Sequence, residues 1–119
     1  MFRRRTIAGL RILITGASQG IGRSLAAVAA QRGARVLATA RSADLLSELA
    51  KLGQSSGWPL HVVAADVTSP VDRRRLVDTA ALRLGGLDVL VNNAGIGATG
   101  HLIDADPDRL RKIMECGAI

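Results

Sequence analysis

The chain reads as an α/β protein organised around a doubly wound parallel sheet. Three observations point there. Apolar runs of about five residues alternate with longer stretches of helical period, the pattern that generates parallel strands joined by crossover helices. The first of these runs passes into the glycine-rich stretch "TGASQGIG" and from there into a helical segment. A length of 119 residues, 48% of them apolar, suffices for one domain with a single modest core.

The strands are expected at "RILIT" (11–15), "RVLAT" (35–39), "LHVVAA" (60–65) and "LDVLV" (87–91), each short and rich in branched side chains. Between the first two, Ile21, Leu25, Val28 and Ala29 recur at i, i+4, i+7 and i+8 and predict a helix that buries them, ended by Gly33. Ser42 is placed to cap a second helix with an apolar stripe of Leu45, Leu46, Leu49 and Leu52; Gly53 would end it, and "SSGWP" (55–59) would be a loop.

Ser69, Pro70 and Asp72 start a third helix, with proline at the first position, where its missing N–H costs nothing. Leu76, Val77, Ala80 and Leu84 face inward, while Arg73, Arg74, Asp78 and Arg83 belong to its wet side, so the "RRR" run at 73–75 reads as a solvated face. "DPD" (106–108) repeats the start signal for a last helix carrying Leu110, Ile113 and Met114. Right-handed crossovers arrange four such strands in the order 3-2-1-4, a Rossmann-like sheet with its switch point between strands 1 and 4. A ligand is expected there, beyond the carboxyl ends of the strands.

Composition narrows the partners. The net charge of +6 and pI near 11.2 attract phosphates. The charge is not gathered on a recognition motif, and one Phe, one Trp and no Tyr leave little to stack on bases, so no nucleic-acid partner is expected. The apolar stretches are too short and too glycine-rich for a membrane span. Residues 1–8 form a basic tail, and Arg11 interrupts the apolar run that a secretory leader needs, which predicts a cytoplasmic chain. A lone Cys116 supports neither an internal disulfide nor a zinc site, and no metal ligands are assigned.

The chemistry lies in the first turn. Gly16 permits the sharp bend off the strand, Gly20 lets the backbone approach a pyrophosphate, and Gly22 allows close packing of helix on strand. The helix N-terminus adds unpaired N–H groups and a partial positive charge to hold that anion.

"TGASQGIG" (15–22), "DVT" (66–68) and "NNAG" (92–95), in this order and spacing, resemble the cofactor-binding half of the short-chain dehydrogenase/reductase family, and the resemblance covers the chain from about residue 9 onward. It implies nicotinamide dinucleotide binding. Gly16, Ser18, Gln19, Gly20, Ile21 and Gly22 would form the phosphate turn; Asp66 and the Val67 backbone would face the adenine. Asn93, Ala94 and Gly95 would border the ribose and tie strand 4 to its neighbours. A local reading of Asp66 also stands, as a cap beside Thr68. Family members that prefer NAD carry an acidic residue after strand 2, whereas this chain has Ala40 followed by Arg41, whose guanidinium suits a 2′-phosphate; NADP(H) is expected over NAD.

The same resemblance exposes a gap. Reductases of the family use a Tyr, a Lys four residues later, a Ser and an Asn, yet this chain has no Tyr, its only lysines are Lys51 and Lys112, and every serine precedes "NNAG". Gly117 stands where the family's Asn would align, and neither His61 nor His101, the latter expected in a loop, replaces the missing proton donor. No catalytic residue is therefore assigned, and the chain is expected to be an amino-terminal piece of a reductase, inactive alone. Strand 4 would then be an apolar sheet edge, open to self-association or to a partner chain. A non-catalytic binding module completed by such a partner is the competing expectation.

Overall fold

The computed structural model describes residues 7–93 and the strand His101–Asp104. Its elements follow the alternation in the sequence: β1 (Arg11–Ile14), α1 (Gly20–Gln31), β2 (Arg35–Ala40), α2 (Ala43–Ser56), β3 (Leu60–Ala64), α3 (Pro70–Leu84), β4 (Val89–Asn92) and β5 (His101–Asp104). The strands form one sheet in the order β3-β2-β1-β4-β5, with the first four parallel as expected. The predicted last helix lies outside the described residues.

Strand alternation sorts the core onto the two faces of the sheet. Ile12, Ile14, Val36, Ala38, Val89 and Val91 pack with Ala26, Ala29 and Ala30 of α1 and Leu49 of α2. Leu13, Leu37 and Leu90 point the other way and pack with Leu76, Val77, Ala80 and Leu84 of α3, the inward set the sequence predicts. Both later helices start as expected: Ser42 Oγ accepts from the Leu45 amide at 3.3 Å, and Ser69 Oγ from the Asp72 amide at 3.3 Å, with Pro70 in the first turn.

Four expectations are corrected. In α1 the buried face is Gly22, Ala26, Ala29 and Ala30, whereas Ile21, Leu25 and Val28 are 64%, 38% and 42% exposed and line an open groove with Gly20, Arg23 and Ser24. The helix lies close to the sheet, and small side chains permit that approach while larger ones do not. Gly53 does not end α2, which runs on to Ser56 and stops at Gly57 in the left-handed region. Gly53 instead makes room for β3, since a Cβ there would lie 2.8 Å from Leu60 Cδ2. Arg73 is buried rather than solvated, at 5% exposure, because its guanidinium turns back toward the β3–α3 turn.

The fourth concerns the sheet edge. β4 is not open: β5 pairs with it antiparallel, Val89 opposite Asp104 and Asn92 opposite His101. His101 accordingly belongs to a strand rather than a loop. Its backbone ladder supplies partners for the β4 groups that an edge strand would leave unpaired, which removes the basis for association through that edge. Among the described residues the outer strand on the other side is β3.

Candidate functional site

The carboxyl ends of the four parallel strands gather the residues singled out by motif. From β1 the chain turns through residues 15–19 into α1; Arg41 follows β2, Asp66 follows β3 and Asn93 follows β4. Crossovers run from β1 toward β2 and β3 on one side and to β4 on the other, so a crevice opens between β1 and β4.

The β1–α1 turn is built for close approach. Gly16 and Gly20 adopt φ of 63° and 62°, a region L-residues with a Cβ rarely enter. Gly22 is fixed by crowding: a Cβ there would run into the Gly16 carbonyl oxygen and lie 2.6 Å from Asn93 Nδ2. Asn93 Nδ2 itself donates to that same Gly16 oxygen at 3.3 Å. Strand 4 is thus tied to the glycine turn, the structural part of what the motif implied for Asn93. Ala94 and Gly95 lie outside the described residues.

Two residues that sequence reasoning missed complete the tie. Thr15, fully buried, donates its amide to the Val91 carbonyl at 3.0 Å and its hydroxyl to Asn92 Oδ1 at 3.3 Å, while its Oγ1 accepts from the Asn93 amide at 2.9 Å. The available signal was a hydroxyl residue at the end of β1 opposite paired asparagines at the end of β4. On the other side of the turn, the Ala17 amide donates to the Thr39 carbonyl at 3.0 Å, anchoring the turn to β2.

The start of α1 differs from the other two helix starts. It has no side-chain cap at Gln19 and no acidic residue in its first turn. Among the described residues no protein acceptor takes the amides of Gly20, Ile21 or Gly22; the first helical bond is donated by Arg23 to the Gln19 carbonyl at 3.4 Å. Unpaired amides at a positive dipole end form an anion site, and the absent acidic residue leaves that site uncontested. Ser18 is half-buried in this turn and Gln19 is exposed beside it.

At the end of β3, one Asp66 carboxylate oxygen accepts from both the hydroxyl and the amide of Thr68, at 2.6 and 2.9 Å. Oδ1 thus closes a local turn on Thr68, and the cap of α3 is Ser69 rather than Asp66. These hydrogen bonds, hydroxyl first, hold the Asp66 carboxyl below the usual carboxylate range, and the charge of Arg41 acts in the same direction. Oδ2 is not engaged, and the Val67 amide is the one backbone donor from 65 to 69 that no protein acceptor takes among the described residues. Among the described residues the turn therefore leaves one acceptor and one donor without a protein partner, on consecutive residues.

An uncapped helix end, flanked by glycines at the switch point of a doubly wound sheet, is the arrangement of dinucleotide-binding α/β domains. The comparisons narrow the class. A family model described as short chain dehydrogenase matches residues 11–118, and the chain belongs to that family. Over 101 residues it is 45% identical to an 11-beta-hydroxysteroid dehydrogenase A of Sesamum indicum, covering 84% of this chain and 29% of the relative. It is 38% identical over 104 residues to the uncharacterized oxidoreductase YxnA of Bacillus subtilis (strain 168), covering 87% and 29%. Among solved structures, glucose dehydrogenase of Caenorhabditis elegans in the apo form superposes with a TM-score of 0.72 at 37% identity, over 76% of this chain and 40% of that one. A hydroxysteroid dehydrogenase from Escherichia coli gives 0.70 at 34% identity, over 73% and 36%. The chain thus spans less than a third of the first two relatives. Members of the family are oxidoreductases that bind nicotinamide cofactors, NAD or NADP. No helix among the described residues is long and apolar enough to cross a membrane.

Proposed function

We propose that this chain binds NADP(H) and constitutes the cofactor-binding portion of a short-chain reductase, one that moves hydride between the nicotinamide and a carbonyl or alcohol substrate. The observation that carries the reading is the free amide cluster of Gly20, Ile21 and Gly22, set against Asn93 by the absence of a Cβ at Gly22. In this reading the turn from Gly16 through Ser18 and Gln19 to Gly22 receives the pyrophosphate. The Asp66 oxygen and the Val67 amide meet the donor and acceptor on the edge of the adenine. Asn93, Ala94 and Gly95 border the ribose.

Arg41 is exposed beyond the end of β2, and Ala40 brings no negative charge to oppose a 2′-phosphate. Charge-assisted, forked hydrogen bonds to that phosphate support a preference for NADP(H) of roughly ten- to hundredfold over NAD(H). Binding, not turnover, is the activity expected of these 119 residues: with no Tyr present there is no phenol to protonate the developing alkoxide, a contribution of about 10²- to 10⁴-fold. Relatives named for hydroxysteroid, glucose and versicolorin substrates share this segment, which supports assigning substrate choice to other parts of such enzymes.

Calorimetric titration with NADPH and NADH tests the reading. Saturable binding with NADPH tighter is the expected result, and absence of binding by either at millimolar concentration ends the proposal.

A further inference from the structure

The β3–α3 turn is held from an unexpected direction. Asp72 and Arg73, both in the first turn of α3, reach back to it: Asp72 Oδ2 accepts from the Asp66 amide at 2.8 Å, and Arg73 Nη1 donates to the Val67 carbonyl at 2.9 Å. Between these two contacts the Asp66 carbonyl accepts from the Ser69 amide at 3.0 Å. Because each peptide unit is planar, a bond to its carbonyl fixes the direction of the N–H on its other side. Three consecutive peptide planes, 65–66, 66–67 and 67–68, are thereby fixed in turn. The middle one carries the Val67 N–H.

We infer that Arg73, together with Asp72, is a positioning residue for base recognition: the pair fixes the peptide planes around Val67 so that its amide and Asp66 Oδ2 remain open to a purine edge presenting an acceptor beside a donor. The inference rests on the cofactor reading above and extends it to residues that touch no cofactor themselves.

The burial of Arg73 argues for this role over simple packing. Position 73 lies on the inner face of α3 with Leu76, Val77 and Ala80, where an apolar side chain would satisfy the helix at no desolvation cost. A guanidinium there is costly unless its donors are used, and one of them is spent on the turn carbonyl six residues upstream. Arg75 adds a neighbouring contact, donating to the Ala64 carbonyl at 2.9 Å, but it is exposed and lies before the turn.

The test exploits base chemistry. Hypoxanthine replaces the ring acceptor of adenine with an N–H and the exocyclic donor with a carbonyl, inverting the pattern that the turn offers. Affinities of the 119-residue chain for NADPH and for its hypoxanthine analogue are measured by calorimetry, alongside Arg73→Met, Arg73→Lys and Asp72→Ala, with unfolding followed by circular dichroism. The original chain is expected to prefer the adenine form about tenfold, Arg73→Met and Asp72→Ala to lose that preference, and Arg73→Lys to retain part of it. A preference retained in both Arg73→Met and Asp72→Ala, or an equal loss on both nucleotides with the ratio intact, overturns the inference while leaving the cofactor reading standing. Failure of the original chain to bind either nucleotide removes both. If Arg73→Met does not fold, Arg73→Lys and Asp72→Ala decide the question by the same ratio.

Discussion

Arg11 and Asp88 exchange hydrogen bonds in both directions at the end of the sheet away from the site. The Arg11 amide and Nε both donate to Asp88 Oδ2, at 2.9 and 3.0 Å, and its Nη2 donates to Oδ1 at 2.8 Å. In return the Asp88 amide donates to the Arg11 carbonyl at 2.9 Å, and Arg11 Nη1 reaches the Gly85 carbonyl at 2.9 Å. The pair joins the entry to β4 to the first residue of β1, and so fixes the two strands that flank the cofactor crevice.

That geometry sets a pH dependence. Hydrogen bonding to Arg11 lowers the Asp88 carboxyl to about 2, against about 3.9 expected in the unfolded chain. A carboxyl depressed by folding contributes stability above its unfolded pKa and loses it as pH falls through the folded one. The contribution should be complete above about pH 5 and decline between about 4 and 2. Asp88→Asn should therefore cost about 1–2 kcal/mol near neutrality, the side chains being 33–35% exposed and partly screened, and flatten this limb of the acid profile. Urea midpoints across that range read the effect. An unchanged profile in Asp88→Asn would remove the pair from the account of stability.

Gly22→Ala should damage the fold and the site together. The added methyl meets the Gly16 carbonyl oxygen and Asn93 Nδ2, so the helix must back away from the turn. A loss of about 1–3 kcal/mol in stability and more than tenfold in NADPH affinity is expected, read by thermal unfolding and by titration. Full affinity in the variant would contradict the contact.

Arg41→Ala separates the two cofactors. NADPH should weaken by roughly ten- to hundredfold while NADH is unaltered, because the exposed side chain has no packing role to lose. Equal weakening of both nucleotides would show that Arg41 does not act on the 2′-phosphate.

Thr15→Val keeps the shape of a buried residue and deletes its hydroxyl, leaving the Asn93 amide without its acceptor. The expected cost is about 1–3 kcal/mol, with faster hydrogen exchange at Asn93, and Thr15→Ser should recover most of both. Exchange at Asn93 that is insensitive to the substitution would mean the hydroxyl does not hold the end of β4.

How much could be foreseen varies with the kind of signal. The parallel strands, the serine caps and the inward face of α3 were legible because each is written locally, in branched runs, in Ser42 and Ser69, and in Leu76, Val77, Ala80 and Leu84. The inner face of α1 was not, since both of its faces are apolar and periodicity favoured the larger side chains. Contact distance decided in favour of Gly22, Ala26, Ala29 and Ala30. Arg73 escaped for a related reason: a charged residue in a charged run reads as solvated, and its acceptor is a backbone carbonyl that no sequence pattern marks.

The sequence by itself determined the sheet order and the position of the glycine turn, because chain connectivity and the hand of crossovers leave few alternatives once strands and helices alternate. Only the tertiary structure decided which arginine is buried, how Thr15 and Asn93 close on the turn, and that β5 covers β4. These depend on distances between segments far apart in the chain, and steric contact and hydrogen bonding are set by those distances rather than by local composition.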